Sequence, residues 1–195
     1  MSKYNRNEAE PFVAGSVIAA ESLLNEARDN AFGAPTISVT DCKLFSGKPQ
    51  AVDIDRDGDG KAEATGAISY STFGYIDKID VTGKDGSKEY SIQFDRTLGV
   101  VNHAKLDLKA DGTTDATFNP NYAWFSNKVH GLSIDTNNDT KTDQTLSFNR
   151  GWWTGDIYRA GLDKNNDGKV DNYYDLKRHW FSNNLNSLEV QRPEK

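Results

Sequence analysis

An internal repeat most constrains what this chain can fold into. One position recurs at intervals of 26, 26, 28 and 28 residues, and four of its five occupants are glycine. Short acidic or amide residues precede this position, and an acid always follows three residues later. A repeat of this length corresponds to one supersecondary unit that buries its apolar side only against its neighbours. The occupants are Gly60, Gly86, Gly112, Thr140 and Gly168.

Each unit has the pattern of a β-hairpin. Apolar residues alternate after the acid, as in Ile92 and Phe94 or Leu146 and Phe148, which is the period of a half-buried strand. A turn and a second strand then lead into the next acidic loop. We therefore predict an all-β fold, an antiparallel meander of about five two-stranded hairpin repeats. Because long sheets rarely stay flat, we expect a curled sheet, a barrel or a propeller-like arrangement with the acidic loops at one end.

The first 35 residues have a different pattern. An N-terminal amphipathic α-helix is predicted over about 10–32, since Pro11 suits its first turn and Gly33 with Pro35 ends it. This divides the chain into a helix segment, 1–35, and a β-repeat domain, 36–195. The helix either packs on the sheet or docks a partner. Its apolar face comprises Val13, Val17, Ala20, Leu24, Ala27 and Ala31.

The acidic loops have the ligand pattern of a calcium site. Oxygen-bearing side chains occupy loop positions 1, 3, 5 and 9, and position 7 offers its backbone carbonyl. Ca²⁺ takes six to eight hard oxygen ligands at about 2.3–2.6 Å, and glycine at position 6 permits the positive φ that curves the loop. No His or Cys lies in these loops, which excludes zinc and copper sites. An apolar or small residue at position 12 excludes an EF-hand.

Three loops have a full ligand set, so we predict about three Ca²⁺ ions. A fourth, at 107–115, carries Lys109 at position 3, and the loop at 81–89 lacks the first two acids and is predicted to be empty. The alternative is that these residues form ordinary Asx turns in hairpins. The predicted ligands are Asp55, Asp57, Asp59, Lys61 and Glu63; Asp135, Asn137, Asp139, Lys141 and Asp143; Asp163, Asn165, Asp167, Lys169 and Asp171; and, in the incomplete loop, Asp107, Asp111 and Asp115.

The three full loops resemble the DxDxDGxxD hairpin sites of the integrin α-chain propeller and of bacterial FG-GAP or VCBS repeats. The resemblance implies calcium ligation by positions 1, 3, 5 and 9 of each loop, beginning with Asp55 and ending with Asp171. It is confined to the loops. The units of this chain are shorter than those repeats and lack an FG…GAP signature, so the resemblance implies the metal site and not the propeller fold.

Charge and hydropathy exclude several classes of function. The net charge of -6 and the absence of a basic stripe argue against nucleic-acid binding. No apolar run approaches the ~20 residues of a membrane span. A lone Cys42 excludes an internal disulfide. A signal peptide is not evident, but the calcium loops favour an extracellular or cell-surface location, reached by non-classical secretion or in a virion.

Three functions fit these observations. The preferred hypothesis is a non-catalytic, calcium-stabilised module with a structural, adhesive or surface-assembly role, whose partner is another protein or a glycan surface. A calcium-dependent carbohydrate-binding module is the alternative. A secreted polysaccharide-acting enzyme is the third, but the histidines occupy unrelated repeat positions and Glu21 has no recognisable partner carboxylate, so we predict no catalytic residues. The stacking residues for a sugar would be Trp124, Trp152, Trp153 and Trp180.

Overall fold

The computed structural model describes residues 9–27, 36–42, 49–97, 100–122, 128–152, 156–178 and 185–191. Within them, one helix precedes twelve antiparallel strands, each paired with the next along the chain. The elements are α1 (Ala9–Ala27), β1 (Thr36–Cys42), β2 (Pro49–Asp55), β3 (Ala64–Tyr70), β4 (Ile76–Gly83), β5 (Lys88–Thr97), β6 (Val100–Asp107), β7 (Ala116–Tyr122), β8 (Val129–Asp135), β9 (Gln144–Arg150), β10 (Ile157–Asp163), β11 (Asn172–Arg178) and β12 (Leu185–Gln191).

The sheet closes into a barrel through its first and last strands. Ile37 of β1 lies opposite Ile54 of β2 on one side and Leu188 of β12 on the other. The five repeats supply β2 to β11, the ten strands that five hairpins require, and confirm the antiparallel meander. Strands β1 and β12 lie outside the repeat and pair with each other, which removes both edges of the sheet.

Helix α1 fills the barrel interior. All described side chains from Phe12 to Leu24 are buried, and the helix packs against β6, β8 and β10. Phe12 also meets Phe94 of β5 edge to face, with ring centroids 5.7 Å apart. The sequence indicated one apolar face, whereas the structure surrounds the helix with strands, and a helix that is largely apolar all round suits that position. Neither α1 nor another described segment forms a helix with the length and apolar character of a membrane span.

A small residue lets the helix fit against the inward side chains of the sheet. A Cβ at Gly15 would lie 2.8 Å from Leu146 and Phe148 and 3.0 Å from Leu132. Buried and more exposed side chains alternate along the strands, as in β7 and β9. Each inward-facing position therefore contributes one apolar side chain to the interior. Helix and sheet therefore share a single core.

The strand pairing shifts at an equivalent place in each of the five repeats. Between β3 and β4, for example, Ser69 pairs with Lys78 but Tyr70 pairs with Ile76, which leaves one extra residue. Such bulges increase the local twist and are common at barrel rims. The extra residues are Asp77, Asn102, His130, Tyr158 and Asn186.

Side chains at or next to the last residue of several strands form hydrogen bonds to the neighbouring strand at the same rim. The Tyr70 hydroxyl donates to the carbonyl of Pro49, and the Tyr122 hydroxyl donates to that of Val101 at 2.8 Å. Arg96 and Arg150 make the equivalent bonds to carbonyls of β4 and β8. These contacts fasten the two strands of a hairpin at the end remote from its acidic loop.

Candidate metal centre

The acidic loops all lie at one end of the barrel, which we call the loop end. We number them along the chain as the first (55–63), second (81–89), third (107–115), fourth (135–143) and fifth (163–171) loops. Each joins the strands of one hairpin, and since consecutive strands run antiparallel, the intervening connections lie at the opposite end, the turn end. The predicted clustering of these loops at one end is therefore observed.

The first loop wraps its own backbone around the side chain of its first residue. Asp55 accepts hydrogen bonds from the N–H groups of Gly58 at 2.7 Å and Gly60 at 2.9 Å. Both glycines have positive φ, 78° and 85°. Asp57 accepts from the N–H of Asp59 at 3.0 Å. The tight curvature that the sequence predicted for position 6 is present, and position 4 shares it.

The ninth residue of the first loop returns to the loop's start. Glu63 accepts a hydrogen bond from the Arg56 N–H at 2.8 Å and one from Lys84 Nζ of the second loop at 2.9 Å. Burial alone would raise the pKa of Glu63, but these two donors outweigh it and hold the pKa below its ordinary value. The same pair raises the pKa of Lys84. Glu63 is therefore charged at neutral pH.

Three carboxylates of the first loop converge. Asp55, Asp57 and Glu63 each offer an oxygen, and these oxygens lie within 4.8 Å of one another. Oxygens bound to one Ca²⁺ at about 2.3–2.6 Å are separated by distances of this order. This group could hold a metal ion, and its all-oxygen composition suits a hard cation. The position of Lys84 shows that the site already attracts positive charge.

The fourth and fifth loops repeat this conformation. Asp135 accepts from the Thr140 N–H and Asp163 accepts from the Gly168 N–H, each at 2.8 Å. Asn137 and Asn165 occupy position 3, where an amide oxygen replaces a carboxylate, and each accepts from the N–H two residues on. The ninth residues, Asp143 and Asp171, accept from the N–H of position 2 at 2.9 and 2.8 Å. The two loops thus repeat the hydrogen bonds that positions 1, 3 and 9 make in the first loop.

Position 5 of the full loops turns its carboxylate toward position 7. Asp59, Asp139 and Asp167 each accept from the backbone N–H two residues later at 2.8–2.9 Å. That hydrogen bond lowers the pKa of Asp59. The side chains of Lys61 and Lys141 are 77% and 81% exposed, and their ammonium groups lie 3.2 and 3.7 Å from the carboxylates of Asp59 and Asp139. Lys169 is exposed as well.

The third loop has the same backbone with a poorer donor set. Asp107 accepts from the Gly112 N–H, Asp111 from the Thr113 N–H, and Asp115 from the Leu108 N–H. At position 3, Lys109 extends its ammonium group to within 3.7 Å of Asp115. The third loop thus has an ammonium group at position 3, where each full loop has an oxygen-bearing side chain.

The second loop is built differently, as its sequence predicted. Its turn is closed by backbone bonds from Gly83 to Ser87 and from Gly86 to Gly83. Its ninth residue, Glu89, forms an ion pair with Arg56 of the first loop. The second loop therefore supplies charges to its neighbour, through Lys84 and Glu89.

A buried ionic network connects the first loop to the helix. The Arg56 side chain turns inward and donates to Glu21 of α1 from Nε at 2.8 Å and from Nη2 at 3.1 Å. Glu21 also accepts from the Tyr90 hydroxyl at 2.7 Å. Arg56, Glu21 and Tyr90 are at most 1% exposed. Burial would lower the pKa of Arg56, but its bonds to Glu21 and Glu89 raise it, so the guanidinium stays charged.

Neighbouring loops are also joined side by side. Asn138 of the fourth loop donates to the Thr114 carbonyl of the third at 2.7 Å, and Asn166 of the fifth donates to the Thr142 carbonyl of the fourth at 3.1 Å. Both asparagines have positive φ, 58° and 55°. The Lys84 N–H joins the second loop to the Glu63 carbonyl of the first. Hydrogen bonds therefore join the first loop to the second, and the third loop to the fourth and fifth.

The aromatic residues considered for sugar stacking are only partly described. Trp152 lies in the β9–β10 turn and is 91% exposed. Trp124, Trp153 and Trp180 lie outside the described residues. Phe73, in the β3–β4 turn, is 88% exposed and occupies the repeat position of Trp153, one residue after that of Trp152. Trp152 and Phe73 therefore lie at the turn end, remote from the acidic loops.

Sequence reasoning missed two sets of residues. The strand-end clamps Tyr70, Arg96, Tyr122 and Arg150 are spaced 26, 26 and 28 residues apart, so the repeat itself held this signal. The partnership of Glu21 with Arg56 spans 35 residues and had no local signal. The partners of Glu21 are the guanidinium of Arg56 and the phenol of Tyr90, and a search for paired carboxylates does not find them.

Comparisons with known proteins add a structural likeness. No family model matches the chain, and no curated protein matches it. Among solved structures, a porin-like protein from Bacteroides uniformis ATCC 8492 is similar to this chain with a TM-score of 0.33 and 11% sequence identity, covering 82% of this chain and 70% of that one.

Proposed function

We propose that this protein is a non-catalytic calcium-binding repeat barrel, in which Ca²⁺ at the loop end stabilises the fold. The convergence of Asp55, Asp57 and Glu63 carries the proposal, because three carboxylates within 4.8 Å repel one another unless a cation lies among them. Oxygen donors and the absence of His or Cys from the loops favour calcium over transition metals.

The fourth and fifth loops are proposed as two further sites. Their supporting observation is the shared backbone: the same position accepts from the same N–H groups as in the first loop. Position 7 would add its carbonyl oxygen, and the ligands would be those of positions 1, 3, 5, 7 and 9. The third loop is a weaker candidate because of Lys109.

A role outside the cytosol follows from this proposal. Extracellular calcium modules bind at about 10⁻⁴–10⁻³ M, concentrations that the cytosol does not reach. A barrel whose metal ions stabilise its loops suits a structural, adhesive or surface-assembly component that contacts another protein or a glycan surface. In this proposal calcium contributes stability and takes no part in a reaction.

Thermal unfolding in calcium and in EGTA tests the proposal. Each occupied site stabilises the native state by about 2.7 kcal/mol when free Ca²⁺ is a hundredfold above its Kd, so the midpoint should rise with calcium and less with magnesium. Calorimetric titration should find about three ions, in line with the three full loops. An unchanged midpoint and no binding heat would overturn the proposal.

A matched pair of variants assigns the effect to the first loop. Asp57→Ala removes one of the converging carboxylates and its oxygen donors, whereas Asp85→Ala removes an exposed carboxylate of the second loop, which lacks a ligand set. The first variant should weaken the calcium-dependent rise in midpoint and the second should not. Equal behaviour of the two would show that the stabilisation is general screening of an acidic protein.

A further inference from the structure

The second loop lacks a ligand set of its own but places a cation on the first loop. Its positions 1 and 3 are Val81 and Gly83, which offer no side-chain oxygen. At position 4, the Lys84 N–H donates to the Glu63 carbonyl at 3.1 Å, and Lys84 Nζ donates to Glu63 Oε1 at 2.9 Å. Two bonds from one residue thus hold an ammonium group on the ninth position of the first loop.

Both carboxylate oxygens of Glu63 are engaged as a result. Oε2 accepts from the Arg56 N–H, and Oε1 accepts from the Lys84 ammonium group. A metal ion bound through Glu63 must either displace that ammonium group or keep its charge close by. Either course lowers the affinity for the ion, because an ion pair is lost in the first case and two like charges approach each other in the second.

The ninth residues of the fourth and fifth loops have uncharged donors instead. Asp143 accepts from the N–H and the hydroxyl of Thr136, and Asp171 accepts from the N–H of Lys164. A metal ion that took either carboxylate would meet the dipoles of these groups and would not have to compete with an ammonium group for the same oxygen. The first loop therefore differs from the other two full loops in having a cation on its ninth residue.

Position 4 of a loop reaches the preceding loop in three of the repeats. Asn138 and Asn166 donate through neutral amides to the carbonyl at position 8 of the preceding loop. Lys84 reaches position 9 of the preceding loop with a charged group. The residue at position 4 thus decides whether the neighbouring site receives a neutral donor or a positive charge.

This cation lies where the carboxylates are most numerous. The first loop has carboxylates at positions 1, 3, 5 and 9, whereas the fourth and fifth loops have Asn137 and Asn165 at position 3. The additional carboxylate, Asp57, is one of the three that converge. Lys84 offsets the one negative charge by which the first loop exceeds the other two. A cation supplied by a different hairpin is also an observation, independent of the carboxylates, that the site takes positive charge.

We propose that Lys84 is a tethered counter-ion of the first loop, which neutralises the converging carboxylates in the absence of metal and competes with calcium for Glu63. This role rests on the proposed calcium site and deepens it, because it assigns the affinity of that site to a residue that is not a ligand. Calcium affinity in such loops depends on the number of ligand charges. Without Lys84, the first loop would bind calcium more tightly than the fourth and fifth loops do.

Calcium titration of the full chain, followed by amide NMR, tests this competition site by site. The N–H groups of Gly60, Thr140 and Gly168 report on the first, fourth and fifth loops, because each donates to the first aspartate of its own loop. Lys84→Gln keeps a hydrogen-bond donor but removes the charge. It should lower the calcium concentration at the midpoint of the Gly60 shift by at least about fivefold, the effect of one unit charge about 4 Å away in water. The Thr140 and Gly168 midpoints should not change.

Two further variants separate the place of the charge from its amount. Lys78→Gln removes the same charge from β4, where Lys78 pairs with Asp80, and should leave the Gly60 midpoint unchanged. Lys84→Arg keeps a cation beside Glu63 and should titrate like the wild type. Together they show whether a positive charge at position 4 of the second loop is what lowers the affinity.

The outcomes distinguish this role from the calcium site itself. An unchanged Gly60 midpoint in Lys84→Gln, with calcium still bound, would overturn the counter-ion role and leave the proposed function standing. An equal gain in Lys78→Gln would also overturn it, by assigning the effect to net charge. If calcium shifted none of the three amides, the calcium site would be wrong and the counter-ion role would be overturned with it.

Discussion

The first and fifth loops share a backbone conformation but are held in place differently. In both, the first aspartate accepts from the N–H of position 6, and the ninth residue accepts from the N–H of position 2. At position 2, however, Arg56 reaches the barrel interior, whereas Lys164 does not enter the core. The fifth loop is fastened instead to the fourth, through Asn166.

This difference shows that loop conformation and loop anchoring are separate properties. The conformation comes from short side chains that bond to nearby backbone, so it recurs wherever the pattern recurs. The anchoring depends on which neighbour is present. The first loop has no acidic loop before it and is tied inward to α1, whereas the later loops each have a predecessor to bond to.

Substitutions at position 2 should give the largest difference in unfolding free energy between the two loops. Arg56→Ala should cost about 3–5 kcal/mol of unfolding free energy, because it leaves the buried Glu21 side chain without its ionic partner. Lys164→Ala, at the matched position, should cost less than about 1 kcal/mol. Urea denaturation in EGTA measures both without any metal contribution.

A double variant separates lost pairing from lost packing. Glu21→Leu/Arg56→Met removes both charges and should recover much of the stability lost in Arg56→Ala, since apolar replacements of buried ion pairs are often neutral. If Arg56→Ala proved as mild as Lys164→Ala, the inward anchoring of the first loop would be wrong.

Tyr90 gives the next largest effect and adds a pH dependence. Tyr90→Phe removes a hydrogen bond to charged Glu21 and should cost about 1.5–3 kcal/mol at neutral pH. Burial, and then the charge of Glu21, raises the pKa of Tyr90 well above its ordinary value of 10.0. The resulting stability is fully present below pH 10.0 and is lost as pH rises toward the folded-state pKa.

The variant should therefore lose less stability than the wild type between neutral pH and pH values above 10.0. Unfolding curves across that range measure this. Tyr158→Phe is the control, since Tyr158 is 51% exposed. A parallel decline of the wild type and Tyr90→Phe would show that the phenol does not couple to the buried network.

Position 6 tests whether loop conformation is local. Thr140 holds a φ of 71° that suits glycine, and Gly168 holds 85° in the fifth loop. Thr140→Gly should stabilise by about 1 kcal/mol and Gly168→Thr should destabilise by about 1–2 kcal/mol. No atom lies within 4 Å of a Cβ built at Gly168, so the effect is conformational. Chemical denaturation in EGTA should show a higher unfolding free energy for Thr140→Gly and a lower one for Gly168→Thr. If both variants changed the unfolding free energy in the same direction, the loop conformation would not be set by local residues alone.

The smallest expected effect is that of the lateral bond. Asn166→Gly keeps the positive φ but removes the bond to Thr142 and should cost about 1 kcal/mol. The reverse change, Gly58→Asn in the first loop, should not raise the unfolding free energy, because no acidic loop precedes the first loop and offers a carbonyl to the new side chain. Hydrogen exchange of the Thr142 region and denaturation midpoints would measure both. A gain from Gly58→Asn would mean that side-by-side bonding does not explain the asparagine.

Much of the fold was available from the sequence because its causes are local. The spacing of Gly60 to Gly168 placed the five loops and the ten strands that flank them. The positive φ at position 6 followed from glycine. The same spacing holds for the clamps at Tyr70 and Arg96, which local reasoning could have found. The helix was predicted too: the structure describes it over Ala9–Ala27, and residues 28–32 of the predicted range lie outside the described residues.

The candidate site was predictable in composition but not in its connections. The sequence placed Asp55, Asp57 and Glu63 in one loop, and three converging oxygens follow from alternate residues of a tight turn. It did not place Lys84 against Glu63 or Glu89 against Arg56, because those contacts join different hairpins. The pairing of hairpins in space decides them.

By itself, the sequence determined a repeated hairpin with an acidic tip, since period, turn residues and strand alternation act over a few neighbouring residues. Tertiary structure alone decided that β1 meets β12, that the helix lies within the ring, and that Arg56 turns inward to Glu21. These features depend on closure. A ring of strands creates an interior to fill, and a polar group in that interior must find its partner there, at whatever distance along the chain the partner lies.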